Sequence, residues 1–350
     1  MAQQYVKTII LRLIWIILSI FFMASCSHEL LTRPEKTPVA ADKMEEQILT
    51  LGEQHFNRGE FESALQKTQE ALKLNPDNVE ALYATADVYL ALGQYNKSLE
   101  FSKRAAAYKS ERLPDIYLLI GKTYQRHDDP WNALRTYRFA VSEYPKNSKL
   151  QYSLGDTYAY LNKAEFAADA FKAAILADPR NAASHFQLGV LYYSNDYSTP
   201  ALLSLSVSLL LKPKQASAPL IIKDINDLLG REVVTRKTDE GDFRSVDEAL
   251  VRQRMSLLNK SETYTAFEII KAQYHTLFKE LNTLKIKNKN NAFVMDNYVP
   301  LYDKVQQEGL DEAFVYYVFQ GSKNTVISNW LEKHPEKIKQ LEQVVRNYKG

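Results

Sequence analysis

Between Glu45 and Gln215 the apolar residues fall at three- and four-residue spacing, in helix-length runs separated by short polar breaks. In residues 148–181 the first run carries Leu154, Tyr158 and Leu161, and the second carries Ala167, Ala170, Phe171 and Ala174. Each run predicts an amphipathic helix, and the two together predict a helical hairpin. The hairpin recurs. Leu188-Gly189, Tyr192, Ala201 and Pro213 reproduce Leu154-Gly155, Tyr158, Ala167 and Pro179 after an offset of 34 residues.

The recurrent residues have distinct physical tasks. Gly52, Gly121, Gly155 and Gly189 in the first helices, and Ala64, Ala71, Ala105, Ala133, Ala140, Ala167, Ala174 and Ala201 in the second, stand where two helices must approach closely. Pro76, Pro145, Pro179 and Pro213 end the second helices, because proline lacks an N–H and restricts the residue before it. The copies run 45–78, 79–112, 114–147, 148–181 and 182–215, with Leu113 inserted after the second. That second copy departs most from the pattern, with Ala86, Ser98 and Ser110 in place of Gly, Ala and Pro.

This period and pattern resemble the tetratricopeptide repeat. The resemblance covers about half of the chain. It implies an all-α fold, a right-handed superhelical array of antiparallel helix pairs, followed here by a helical C-terminal region. Each pair exposes an apolar face that only its neighbours can bury. The resemblance further implies a concave groove lined by the first helices, whose partner-facing residues here would be Phe56, Asn57, Tyr83, Asp87, Leu118, Lys122, Arg126, Tyr152, Asp156, Tyr160, Phe186 and Tyr193, with Glu53, Leu90 and Gln125 at related positions. Rings interleaved with charge suit a peptide or protein partner. Leu49 and Glu53 stand where chaperone-tail-binding repeats carry clamp residues, so that clamp looks absent.

The first residues read differently. Lys7 and Arg12 precede an apolar run from Leu13 to Ala24, too short to span a bilayer comfortably and the right length for a signal-peptide core. Met23-Ala24-Ser25-Cys26 then resembles a bacterial lipoprotein signal, although Met23 stands where Leu is usual. The resemblance implies removal of residues 1–25, acylation of Cys26, and a membrane anchor through the N-terminal lipid. Ser27, following Cys26, matches an outer-membrane sorting signal, hence an expected place on the periplasmic face of that membrane. Two readings compete with it: an uncleaved anchor helix over Ile9 to Ala24, and an ordinary signal peptide followed by an incidental cysteine. Residues 26–44, with Pro34 and Pro38 and little periodicity, read as a tether that would reach roughly 60 Å if extended.

Composition narrows the function classes. The formal charge is +2, and removing Lys7 and Arg12 leaves none, so no field favours nucleic acid. Cys26 is the single cysteine, which excludes an internal disulfide. The histidines, at 28, 55, 127, 185, 275 and 334, have no metal-ligand spacing and are expected in surface or partly buried structural roles. Gly121-Lys122-Thr123 mimics the end of a P-loop, but Ile116 stands where that motif needs Gly. No catalytic residue, metal or cofactor is assigned.

Residues 216–350 match no pattern of this kind. Pro219–Leu229 reads as an amphipathic helix capping the array. Ser245 and Glu248 read as a capping box opening a helix to about Leu258, on which Asp247, Glu248, Arg252 and Arg254 would form a solvated face. Further helices are expected near 263–285, 291–307, 310–320 and 323–347, with Pro300 kinking one and Phe314, Tyr316, Tyr317, Phe319 and Trp330 in a core. The expected function is a lipid-anchored scaffold or adaptor that binds an envelope protein or peptide in its groove during cell-envelope assembly. The alternative is an enzyme with its active site in 216–350.

Overall fold

The computed structural model describes residues 31–231, 242–260, 264–287 and 292–348. Among these the architecture is all-helical; the one bridge of strand type joins Lys36 to Tyr108. Signal residues and Cys26 lie outside the described residues.

Five antiparallel pairs form the array: α1 (Lys43–Asn57) with α2 (Phe61–Leu74), α3 (Val79–Ala91) with α4 (Tyr95–Ala106), α5 (Leu113–Arg126) with α6 (Pro130–Glu143), α7 (Ser148–Tyr160) with α8 (Ala164–Ala177), and α9 (Ala182–Ser194) with α10 (Ser198–Leu211). Each second helix also packs on the next first helix, so the pairs stack into a superhelix.

Local chemistry recurs with the period. Asn78, Asn147 and Asn181 each cap the following helix, their side chains accepting backbone N–H bonds from Ala81, Leu150 and Ser184. The tight turns inside the pairs need a left-handed residue, supplied by Gly59, Gly93, Asp128, Asn162 and Asp196. Three of the four packing glycines behave as their spacing predicts; at Gly52 a Cβ would meet nothing nearer than 3.4 Å, so no close approach requires it. A Cβ on Gly121 would stand 2.3 Å from the Tyr137 ring, and one on Gly155 2.7 Å from Phe171.

The stretch read as a tether is docked over part of its length. Lys36 donates its N–H to Ala107 O and accepts from Lys109 N–H, while Arg33 makes a bidentate pair with Glu143 at 3.0 Å. Leu31 packs on the cluster containing Tyr108 and Tyr117. Asp42 and Glu45 then close a capping box on α1. An extended segment finds this place because the end of α4 offers an unpaired N–H and C=O beside an aromatic surface.

The C-terminal helices are α11 (Ala218–Gly230), α12 (Arg244–Leu258), α13 (Ala266–Lys287), α14 (Phe293–Asn297), α15 (Val299–Gln307), α16 (Asp311–Val318), α17 (Thr325–Lys333) and α18 (Pro335–Arg346). They share one core with the last repeats, running from Ala167 to Leu341, so packing does not stop at residue 216. At its centre is α10, buried continuously from Thr199 to Leu210, with serines interspersed among its apolar residues. Its serines satisfy their hydroxyls locally: Ser204 and Ser206 donate to carbonyls four residues back, and Ser206 also meets Tyr274 OH at 2.6 Å.

Several expectations for this region need correction. Ser245 does not cap α12, which begins at Arg244 after Phe243; the capping box falls instead at Thr265 and Glu268. The span 323–347 is two helices, because Pro335 cannot extend α17 and instead occupies the first turn of α18. The span 291–307 breaks at Tyr298, two residues before Pro300. Asp247 is not on a solvated face: its carboxylate accepts from Thr199 at 2.6 Å at the start of α10, which has no cap of its own. Arg254 likewise binds Gly230 O at the end of α11. His185 is fully buried. Its Nε2–H donates to Pro179 O at 2.8 Å, leaving Nδ1 to accept from Tyr298 OH at 2.9 Å, so it joins array to C-terminal region. Burial pushes its pKa down to about 4.

Candidate functional site

The groove-facing residues divide into two sets. Phe56, Asn57, Tyr83 and Asp87 come together around an open cavity of about 640 Å³ between α1, α3 and the start of α5. Leu49, Glu46, Glu53, Glu80 and Arg112 complete its wall. The Arg112 guanidinium lies 4.9 Å from the Tyr83 ring centroid and pairs with Glu80. Burial, with Asp87 adding to it, raises the Tyr83 hydroxyl to about 12; burial also raises Asp87, opposed by Lys122. Lys122 and Arg126 are exposed further along the wall, and Leu118 is half-buried beside them.

Arg112 was not among the sequence candidates. It sits at the phase break between the second and third repeats, outside the positions that helix periodicity assigns to the groove. The signal was the break itself. Ser110, where proline is usual, accepts the Arg112 N–H at 3.1 Å and turns the chain there.

At the other end the wall is occupied by the chain itself. Tyr193 OH donates to Asp227 at 2.7 Å, and Arg231 stacks 4.2 Å from the Tyr193 ring while pairing with Asp227 and Asp196. Helix α11 therefore covers this end. Phe186 packs half-buried on the C-terminal core, and Tyr152 leans on Phe171 at 5.8 Å and is hydrogen-bonded to Gln187. Asp156 is tied to Gln125, which also binds Thr157 and Tyr137, and burial raises its pKa. Tyr160 stands free at 67% exposure. Leu90 is buried core.

In the C-terminal region Lys271 pairs with Glu312 at 3.0 Å and His275 with Asp311 at 3.4 Å, beside a shallow cleft of about 560 Å³. Among the described residues no group of three or more His, Cys, Asp or Glu is placed to hold a metal.

Comparison with known proteins agrees with the repeat geometry. Family models described as "TPR repeat" and "Tetratricopeptide repeat" match residues 52–93 and 152–196. The chain is a tetratricopeptide-repeat protein. It is 28% identical over 197 residues to the BBSome complex member bbs-4 of Caenorhabditis elegans, a match covering 55% of this chain and 42% of that protein. The chain thus spans less than half of that relative. A thermophilic tetratricopeptide-repeat protein of Thermus thermophilus is similar over 53% of this chain and all of its own, at 26% identity and a TM-score of 0.42. PilF of Pseudomonas aeruginosa is similar over 54% of this chain and 90% of its own, at 19% identity and a TM-score of 0.45.

Proposed function

We propose that this protein is a lipid-anchored scaffold of a bacterial cell envelope, held through Cys26 on the periplasmic face of the outer membrane. In this reading the N-terminal half of its groove grips a basic, partly apolar segment of an envelope protein. Tetratricopeptide repeats indicate a protein–protein interaction scaffold; the anchor, place and partner chemistry are this proposal. One observation carries it: the cavity around Phe56 and Tyr83 is open, aromatic and acidic, with Glu46, Glu53, Glu80 and Asp87 against Arg112. Rings supply apolar contact, and the surplus of carboxylates selects cationic side chains and rejects acidic ones.

The test is in-cell crosslinking and capture with the double variant Phe56→Ala/Tyr83→Ala. Captured partner should fall about tenfold or more, as for loss of aromatic anchors in a binding site. Tyr193→Ala, at the covered end, should leave the partner set intact. An unchanged set in the double variant overturns the groove reading. A Cys26→Ser variant that stays full length and membrane-bound overturns the anchor.

A further inference from the structure

The loops joining one repeat to the next lie along one edge of the array. Arg104 reaches Pro76 O at 3.0 Å, Arg33 bridges to Glu143, Asn181 meets Ser148 at 2.9 Å, and Ser208 meets Ala182 O at 2.9 Å. The turns inside the pairs lie along the opposite edge, about 20 Å away by helix length.

The two edges differ in charge. In the joining segments 75–78, 107–112, 144–147, 178–181 and 212–217, the cations Lys109, Lys146, Arg180, Lys212 and Lys214 stand with the acids Asp77, Glu111 and Asp178, while Arg112 turns into the groove and pairs with Glu80. Of these acids Asp77 is bound by the Tyr108 hydroxyl and Asp178 accepts the Arg180 N–H. In the opposite turns 58–60, 92–94, 127–129, 161–163 and 195–197, Arg58 and Lys163 are outnumbered by Glu60, Asp128, Asp129 and Asp196. Near the ends of their helices, beside the basic edge, Leu74 and Leu176 are 50% and 63% exposed.

Length supplies the second constraint. A free tether would let the array tumble at distance from its anchor, but Leu31 is docked and Arg33 is clamped to Glu143 on the basic edge. Four residues lie between Cys26 and Leu31, and the five Cα-to-Cα steps cannot reach beyond roughly 18 Å. We infer that the edge made by the joining loops lies against an anionic lipid surface, with Arg33 and Lys36 fixing that orientation. Basic segments are drawn to anionic headgroups once held within about a Debye length, ~8–10 Å, and exposed leucines add apolar contact. This rests on the anchoring of Cys26 proposed above.

The test uses the acylated full-length protein in vesicles of mixed phosphatidylglycerol and phosphatidylcholine. With Cys26 blocked by lipid, Ser142→Cys beside the joining edge and Gln94→Cys on the turn edge each carry a unique labelled thiol, read by energy transfer to an acceptor at the headgroups. Transfer from position 142 should be several-fold stronger than from 94. The difference should shrink in pure phosphatidylcholine, and it should lapse in the strap variant Lys36→Pro, which lacks the N–H given to Ala107. Equal transfer from both positions in acylated protein overturns the orientation and leaves the anchor standing. Stronger transfer from 94 overturns it likewise. An intact mass without acyl groups overturns the anchor, and this inference with it.

Discussion

The two ends of the array are built from the same repeat and have opposite surfaces. At the N-terminal end Tyr83 faces an open cavity, its hydroxyl half-buried and its ring touched by Arg112. At the C-terminal end Tyr193 has its hydroxyl taken by Asp227 and its ring covered by Arg231. The second helices differ too. In α2 only Ala64, Thr68 and Ala71 are buried, whereas α10 is buried from Thr199 to Leu210. A repeat leaves its concave face free only where nothing later in the chain returns to fill it. Buried contact therefore concentrates where the groove is closed, and solvent-facing wall where it is open.

The sharpest way to break this comparison is to empty the closed end. Leu205→Ala removes a fully buried side chain from the centre of α10 and should cost about 2–5 kcal/mol in chemical denaturation. Because the core joins repeats and C-terminal helices, both should unfold in one transition. Two separate transitions would mean that the shared core does not couple them.

Next in size is a pH effect specific to the closed end. The folded pKa of His185, about 4, lies below its unfolded value, so the unfolded chain binds the extra proton between the two. Its contribution is whole above about pH 6.5 and is lost as pH falls through about 4, up to about 3 kcal/mol. Asp247 acts in the opposite sense: burial raises it to about 6, so its term weakens stability as pH rises from about 4 to 6. Wild type must therefore be compared with His185→Gln, which retains a donor and an acceptor and removes the titration. The stability of wild type relative to this variant should decline between pH 7 and pH 4; a constant difference would refute the linkage.

The smallest contrast is between two glycines at equivalent positions. Gly121→Ala drives a methyl into the Tyr137 ring and should cost about 1–3 kcal/mol. At Gly52 the nearest side-chain atoms stand 3.4 Å away, so Gly52→Ala should change thermal stability by less than about 1 kcal/mol, with helix propensity offsetting the tight contact. Similar losses at both sites would mean the first repeat is packed as tightly as the third.

Much of the array was legible in the sequence because a repeat writes its packing rules several times. Glycine against Tyr137 or Phe171, and helices stopping two residues before Pro145 and Pro179, are local rules stated by spacing. The open half of the groove was legible for the same reason, through Phe56, Tyr83 and Asp87. Arg112 was not, because its position depends on the single residue that breaks the period. The closed half was not legible either. Tyr193 has the same phase as its open counterparts, and only a contact across 34 residues to Asp227 engages its hydroxyl. The same holds for Asp247 capping α10 from 48 residues away: such pairings are set by tertiary packing, which leaves no periodic trace.

The clamp of Arg33 on Glu143 also orders events in time. Its partners are 110 residues apart in the chain, so a protein made from its N-terminus cannot close it until the third repeat has emerged and folded. Until then Arg33 lacks its partner, although Lys36 can already pair with Ala107 and Lys109 at the end of the second repeat. Once α6 is in place the clamp closes, and the strap from Leu31 to Lys36 is fixed across the second and third repeats.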